Sequence, residues 1–195
     1  MGRVKESTYK TCAEMIGCEV EAFKAVKNVE TGGRGGFVGE GKPAILFEGH
    51  IFWQQLKKRG IDPKEKVAGN EDILYRKWTK KYYLGGIDEY NRLNKAKKID
   101  EEAALASASW GIFQVMGFNF EDGGYSSVRE FVDAMCKSED EQVIAAARFI
   151  CKNKGMKKAL INKDWATFAS LYNGPKYYEN KYDEKLECEY IKLKG

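Results

Sequence analysis

The sequence predicts one mainly α-helical domain that carries a small β-hairpin. The chain has 195 residues, which suits a single compact domain over residues 1–195 and leaves little room for a second. Hydrophobic residues make up 43% of the chain and follow helical spacing along most of it, so helices can surround a sizeable core. A glycine-rich segment at residues 32–43 departs from this pattern, because two short extended runs flank the tripeptide GEG and indicate a hairpin.

The first half of the chain is expected to place this hairpin between helices. A short helix is predicted at residues 9–16, and Gly17 breaks it. A second, amphipathic helix is predicted at residues 20–30. The hairpin runs into the apolar sequence AILF at residues 44–47, and a third helix is predicted from residue 48 to about residue 59.

The second half is predicted to be helical throughout, apart from a basic and aromatic stretch at residues 64–85. Residues 107–117, SASWGIFQVMG, are interpreted as small residues that lead into an apolar helix start. One apolar helix face is expected to carry Ile87, Tyr90, Leu93 and Ala96, and Asp100 is expected to cap the next helix. The helices are predicted at residues 86–97, 100–107, 127–137, 139–152, 155–160, 164–172 and 180–192.

Charge and hydropathy exclude several classes of protein. The formal net charge of +4 is too small to indicate nucleic-acid binding, although it would favour an anionic substrate as well as simple solubility. The basic sequence RKWTKK at residues 76–81 is explained equally well by a solvated surface. No apolar run approaches the roughly 18–20 residues of a membrane span. Residues 1–6 lack the apolar core of a signal peptide, so we expect no stable membrane insertion and no export signal.

Metal and redox chemistry are also disfavoured. Five cysteines are spread along the chain without a CxxC pair, which indicates reduced thiols made in a cytoplasm. A zinc site would need closely spaced cysteines or several histidines, but His50 is the single histidine. We therefore expect neither a metal nor another cofactor.

Glu30 is the most informative residue, because it combines a buried helix face with a helix end. Phe23 and Val26 precede it by seven and four residues, so at helical period they share its face. Burial disfavours the charged carboxylate, and so does the negative end of the helix dipole. Both effects are expected to raise the pKa of Glu30, and a neutral carboxylic acid near pH 7 is what a general acid in glycoside cleavage needs.

Glu48 is a candidate second carboxylate, 18 residues after Glu30. It is expected in the first turn of a helix, where the dipole favours the charged form. Two carboxyl groups in such different environments suit divided acid and base roles. The alternative is a helix-start charge that orients a neighbour. His50, two residues further on, is interpreted as an imidazole hydrogen-bonded near the cleft, since no nucleophile motif accompanies it.

Four further side chains are candidates for holding a substrate. Gln114 is expected either to hydrogen-bond a sugar or to be a satisfied core amide. Trp110 and Tyr172 are expected either to stack on sugar rings or to pack in the core. Asn173 follows Tyr172 at a predicted turn, where it is either a turn residue or a donor that lines the cleft.

Four spaced motifs carry a family resemblance. They are VETGG at residues 29–33, FEGHIF at 47–52, SASWGIFQVMG at 107–117 and YNGP at 172–175. In this order, with the hairpin, they resemble the N-acetylmuramidase domain of bacteriophage and prophage endolysins, and the resemblance extends from about residue 9 to residue 190. The wider lysozyme superfamily, including goose-type lysozymes and lytic transglycosylases, is similar in the same places. Thr31 stands where a serine is common in that superfamily, and it keeps the hydroxyl.

The resemblance implies a lysozyme-like α+β fold that cleaves the β-1,4 bond between N-acetylmuramic acid and N-acetylglucosamine. It implies Glu30 as the catalytic acid and a cleft formed partly by Thr31, Gln114 and Asn173. The partner would be peptidoglycan, bound by a monomer with no separate cell-wall-binding domain. The protein would be made in the host bacterial cytoplasm and act on the cell wall after release. A lytic transglycosylase using Glu30 alone and a non-catalytic cell-wall-binding relative stay open as alternatives.

Overall fold

The computed structural model of the chain describes residues 4–32 and 35–195. Within these residues the chain forms helices around one core and two small antiparallel sheets, which confirms the predicted fold class. The α-helices are α1 (Glu6–Ile16), α2 (Val20–Thr31), α3 (Gly49–Lys58), α4 (Glu89–Lys97), α5 (Glu101–Ala106), α6 (Val128–Lys137), α7 (Glu139–Lys152), α8 (Lys154–Asn162), α9 (Trp165–Asn173) and α10 (Tyr182–Lys194). The strands are β1 (Phe37–Gly39), β2 (Lys42–Pro43), β3 (Ile45–Phe47), β4 (Ala108–Trp110) and β5 (Val115–Met116).

Local signals explain why most helix boundaries agree with the sequence prediction. Gly17 adopts a left-handed conformation, with φ of 86°, and ends α1. The Asp100 carboxylate accepts a hydrogen bond of 2.8 Å from the backbone N–H of Ala103 and caps α5. Ser127 caps α6 in the same way, through the N–H of Glu130. The predicted hairpin is also confirmed, because β1 and β2 pair in antiparallel register.

The prediction of a helix start at residues 107–117 is wrong. This segment forms β4 and β5, and β4 pairs with β3 so that the strand order of the second sheet is β3-β4-β5. Gly111 and Gln114 both have positive φ, 70° and 51°, which reverses the chain between the two strands. Strand β3, in the apolar run before α3, is the strand with which β4 pairs. Because the two strands are about 60 residues apart in sequence, no local pattern indicated that residues 107–117 form a strand.

The predicted apolar face of α4 is confirmed at Leu93 and Ala96, which are buried, but not at Ile87. Ile87 was expected on the apolar face, but it lies in a 3₁₀ turn before the helix and is 43% exposed. The buried face also carries Glu89 and Arg92, whose side chains form a 2.9 Å ion pair at 0% and 2% exposure. The Glu89 carboxylate also accepts hydrogen bonds from the backbone N–H groups of Phe47 and Leu84. This pair therefore joins β3 to the loop that precedes α4.

Helix α2 is held in the centre of the domain by packing on both sides. Phe23 and Val26 are fully buried, and the Phe23 ring stacks on Phe113 with ring centroids 5.8 Å apart. Across the other side, Glu19 at the start of α2 accepts hydrogen bonds from Tyr190 and Lys194 of α10. These contacts fix where the carboxyl end of α2, and with it Glu30, lies.

Within the described ranges no helix combines the length and the apolar character that crossing a bilayer requires.

Candidate active site

A cleft of about 470 Å³ opens at the carboxyl end of α2. The hairpin forms one wall, so the hairpin lies beside the cleft as predicted, and the start of β3 and the turn between β4 and β5 form the opposite wall. The described residues that line the cleft are Glu30, Thr31, Gly35, Phe37, Val38, Ala44, Ile45, Gly86, Gly111, Ile112 and Gln114.

Glu30 lies in the last turn of α2, half-buried and facing this cleft. Burial raises the pKa of the Glu30 carboxyl above its ordinary value. A hydrogen bond of 2.9 Å from the Asn173 side-chain amide to Glu30 Oε1 opposes this shift and is the smaller effect. The predicted direction of the pKa shift is thus confirmed, with desolvation as its main cause. A carboxyl group in this state can hold a proton at a pH where an exposed glutamate has lost it.

Tyr172 and Asn173, at the end of α9, are not among the described residues that line the cleft, although Asn173 contacts Glu30. The Tyr172 hydroxyl donates to the backbone carbonyl of Phe113 at 3.0 Å, and its ring stacks on Phe168. Burial, with the nearby charge of Glu30 as a second cause, raises the pKa of Tyr172 well above its ordinary value. These contacts leave the Tyr172 ring packed against protein, so the expected stacking on a sugar is not supported.

The two polar groups of the Asn173 side chain differ in their hydrogen bonding. Asn173 Oδ1 is buried and has no hydrogen-bond partner among the described residues, whereas Nδ2 is used by Glu30. A buried acceptor of this kind is costly unless a water or a ligand satisfies it. Asn173 therefore has one hydrogen-bonding group on Glu30 and one that is available next to it.

Gln114 lines the cleft and is exposed, but its amide is already used. Its Nε2 donates to the carbonyls of Gly111 and Ala44, at 2.8 and 3.1 Å, and its Oε1 accepts from Ser109 at 2.8 Å. The side chain thus ties the β4–β5 turn to the strand beside it. Thr31 also lines the cleft, next to Glu30, and its hydroxyl donates to the carbonyl of Asn28 at 3.3 Å.

Glu48 and His50 lie together at the start of α3, but neither is among the described residues that line the cleft. The Tyr83 hydroxyl donates to the Glu48 carboxylate and contacts both of its oxygens, at 2.8 and 2.7 Å. Burial, and secondly this hydrogen bond, raise the pKa of Tyr83. His50 Nδ1 is 3.3 Å from Glu48 Oε2, in an orientation that makes no hydrogen bond with any described residue. The structure does not bring Glu48 into the cleft with Glu30.

Trp110 is a core residue, which corrects its interpretation as a sugar-stacking side chain. It is 2% exposed, and its indole N–H donates to the backbone carbonyl of Leu105 at 3.0 Å. A substrate cannot reach a ring that is enclosed in this way, so the alternative reading, a core aromatic, is the one that the structure supports.

Two residues of α7 that the sequence analysis missed hold the walls of the cleft. Gln142 is 1% exposed, and its Oε1 accepts from the backbone N–H of Ile112 at 2.8 Å. Glu139 accepts from the backbone N–H of Gly36 at 2.7 Å, next to the hairpin. A polar amide on the buried face of a predicted helix was the available signal for Gln142. Nothing local indicated Glu139, which occupies an ordinary position in a first helical turn.

Comparisons with known proteins agree on one family. The family model described as N-acetylmuramidase matches residues 19–194. The crystal structure of the Burkholderia AP3 phage endolysin is similar with a TM-score of 0.91 and 39% sequence identity, covering 98% of this chain and 72% of that chain. The likeness confirms the predicted lysozyme-like fold. No curated protein sequence gave a significant match. The chain therefore belongs to the N-acetylmuramidase family and is a peptidoglycan hydrolase of the lysozyme-like class.

Proposed function

We propose that this protein cleaves the β-1,4 bond between N-acetylmuramic acid and N-acetylglucosamine, with Glu30 as the general acid. The observation that carries the proposal is a half-buried glutamate that faces an open cleft and whose pKa is raised by burial. Glycoside cleavage needs a carboxylic acid that keeps its proton until the leaving oxygen develops charge. Glu30 is the one carboxyl group among the described residues that line the cleft.

The neighbours of Glu30 support this role in distinct ways. Glu30 transfers its proton to the glycosidic oxygen as an oxocarbenium-like state develops on the adjoining sugar, and water then adds to that sugar and returns a proton to Glu30. Between these two steps the Asn173 amide stabilises the Glu30 carboxylate, because its hydrogen bond favours the charged form. Gln114 keeps the opposite wall in place through its three hydrogen bonds. Thr31 contributes to the floor of the cleft beside Glu30.

For Glu48 we propose a positioning role instead of direct stabilisation of charge. Its two oxygens share the hydroxyl of Tyr83, and it is absent from the described lining of the cleft. The pair connects the start of α3 to the loop between residues 75 and 85. His50 packs beside this pair and is proposed to support it, with no direct role in the reaction.

A lytic transglycosylase is the second candidate, and the composition of the cleft favours keeping it. With Glu30 as the one carboxyl group in the described lining, no second carboxylate is in place to activate water. A single acid suffices when the 6-hydroxyl of the same muramic acid displaces the leaving sugar. Hydrolysis leaves a reducing sugar with the mass of one added water, whereas this internal displacement leaves an anhydro sugar.

We also propose the biological setting of a lysin. The Burkholderia AP3 phage protein to which this chain is similar is an endolysin, which suggests synthesis in a host bacterial cytoplasm and action on the cell wall after release. We propose that residues 1–195 act as a monomeric catalytic domain on peptidoglycan glycan strands. No nucleic-acid partner is proposed.

Mass analysis of the muropeptides released from purified peptidoglycan tests the proposal. We expect fragments that end in reducing N-acetylmuramic acid. Fragments ending in reducing N-acetylglucosamine would contradict the proposed bond, and anhydro-muramic ends would establish the transglycosylase instead. The same digestion with Glu30→Gln should release almost nothing.

A further inference from the structure

A second cavity, separate from the cleft at Glu30, lies along α3. It encloses about 430 Å³ and shares no described lining residue with the first. Its walls are one side of α3, the turn that follows this helix, and the start of the basic and aromatic loop. The lining residues are Trp53, Lys57, Gly60, Ile61, Asp62, Pro63, Lys64 and Arg76.

Three cations in this cavity have no carboxylate partner. Lys57, Lys64 and Arg76 make no ion pair with any described residue, as is also true of exposed lysines such as Lys58 and Lys77, but these three share the lining of one cavity. The single acidic residue of the lining, Asp62, uses its carboxylate to cap the backbone N–H of Lys64 at 3.0 Å. Asp62 keeps its negative charge while it caps this N–H, so the cavity sets three cations against one carboxylate and is net positive.

The same cavity offers an apolar surface next to these charges. The Arg76 guanidinium lies over the Trp53 ring, 5.8 Å from its centroid, and Ile61 and Pro63 complete the apolar part of the lining. Because Arg76 covers one face of Trp53, its guanidinium is held in place for a carboxylate, and the remaining apolar lining suits the C–H face of a sugar ring. A ligand that combines sugar rings with carboxylates would match both features.

The loop that supplies Arg76 is anchored and not simply solvated. At its base the Tyr75 hydroxyl accepts hydrogen bonds from the N–H of Gly49 and from Arg92, both at 3.3 Å. The Tyr75 ring packs against Tyr82 with centroids 5.3 Å apart. Beyond Arg76 the loop exposes Trp78, 58% exposed, with the Lys80 ammonium over its ring. The site is therefore preformed and continues into further basic and aromatic surface.

We propose that this cavity is a non-catalytic binding site for peptidoglycan, which holds stem-peptide carboxylates on Lys57, Lys64 and Arg76 and packs an adjoining sugar against the apolar part of its lining. Peptidoglycan is the polymer that this enzyme hydrolyses, and it carries both chemical groups on neighbouring units. A second contact with the same polymer increases the time that the enzyme stays on the wall between cleavage events. The site gives a role to Arg76, the first residue of the basic stretch at residues 76–81.

Cosedimentation with purified, insoluble peptidoglycan tests the proposal without reading turnover. The test variant is Lys57→Ala with Arg76→Ala, and the matched control is Lys58→Ala with Lys77→Ala. All four side chains are exposed, both pairs remove the same charge from α3 and the loop, and the control residues do not line the cavity. We expect the test pair to weaken binding about tenfold at low salt and the control pair to weaken it less than about twofold.

Three outcomes would overturn the proposal. Equal loss of binding in both pairs would mean that the effect is general surface charge. If the unaltered protein binds native peptidoglycan and peptidoglycan with its carboxylates converted to methylamides equally well, carboxylates are not the ligand of the cavity. The same variants are also cosedimented with lipopolysaccharide vesicles. If the test pair loses binding to these vesicles but not to peptidoglycan, the ligand of the cavity is a phosphate group instead. A thermal melt of each variant checks that the fold is retained, and the result does not depend on which residue catalyses cleavage.

Discussion

The side-chain amide of Asn173 donates a hydrogen bond of 2.9 Å to the carboxyl group of Glu30, across 143 positions of sequence. Burial raises the pKa of Glu30, and this bond opposes the shift because it favours the carboxylate. The two influences are distinct, since one is the desolvation of Glu30 by burial and the other is a hydrogen bond from the end of α9. They can therefore be separated by changing Asn173 alone.

The first prediction concerns the pH profile of Asn173→Ala. A general acid works while it is protonated, so the rate falls as pH rises through the pKa of Glu30. Without the amide the carboxylate is less stable, the pKa rises further, and the falling limb of kcat/KM moves to higher pH. Asn28→Ala is the control, because it removes an amide that donates to Glu189, a residue that does not line the cleft. An unmoved limb, or one at lower pH, would contradict this reading of the bond.

The second prediction is that Glu30→Gln stabilises the fold at neutral pH. Burial raises the folded-state pKa of Glu30 above its ordinary value, so ionisation carries an added free-energy cost in the folded state alone. That cost is absent below about pH 4 and grows as pH rises through the raised pKa, whereas glutamine has no proton to lose. Melting temperatures of the two proteins should coincide in acid and diverge near pH 7, with the variant higher.

A matched change of charge makes this comparison specific. Glu14→Gln on the exposed face of α1 alters the net charge equally without touching the cleft. If Glu30→Gln melts lower than the unaltered protein at neutral pH, the carboxyl group is not paying an ionisation penalty and the proposed state of Glu30 is wrong.

The local parts of this structure were readable from sequence, and the assembled parts were not. Gly17 stops α1 because glycine adopts the left-handed conformation easily, and the side chains of Asp100 and Ser127 cap the first turns of α5 and α6. These are properties of single residues, so the boundaries they set were predicted closely. The ladder between β3 and β4 was missed because it depends on a partner about 60 residues distant. For the same reason the burial of an acidic and a basic residue on α4 contradicted a simple apolar pattern.

The candidate site divides in a similar way. Glu30 could be singled out because its burial and its helix end are both local properties. The hydrogen bond from Asn173, the contact of Tyr83 with Glu48 and the brace from Gln142 all join distant segments. Trp110 was ambiguous because an aromatic in an apolar segment gives the same pattern in a core and in a cleft.

The third prediction separates the two glutamates. Glu48→Gln keeps an oxygen that can accept from Tyr83, so a positioning role survives the substitution in part. We expect kcat/KM on peptidoglycan to fall less than about tenfold, well below the loss of roughly 10²–10⁴-fold that removing a general acid produces. A loss as large as that of Glu30→Gln would show that Glu48 takes part directly.

The fourth prediction concerns the buried ion pair between Glu89 and Arg92. Arg92→Met leaves the Glu89 carboxylate buried without its cation, and breaking such a pair typically costs about 3–5 kcal/mol of unfolding free energy. Lys137→Met is the control, because it breaks an exposed pair with Glu141 and should cost less than about 0.5 kcal/mol. Urea unfolding of both variants measures the difference, and similar values for the two would contradict the structural role assigned to the buried pair.

The fifth prediction addresses the central claim, that Glu30 donates the proton needed to cleave the glycosidic bond. The measurement is the initial rate of muropeptide release from purified peptidoglycan by the unaltered protein and by Glu30→Gln, with the melting temperature of each recorded in the same buffer. We expect the variant to be folded and its rate to fall roughly 10²–10⁴-fold. A folded Glu30→Gln protein that releases muropeptides at the unaltered rate would contradict the account.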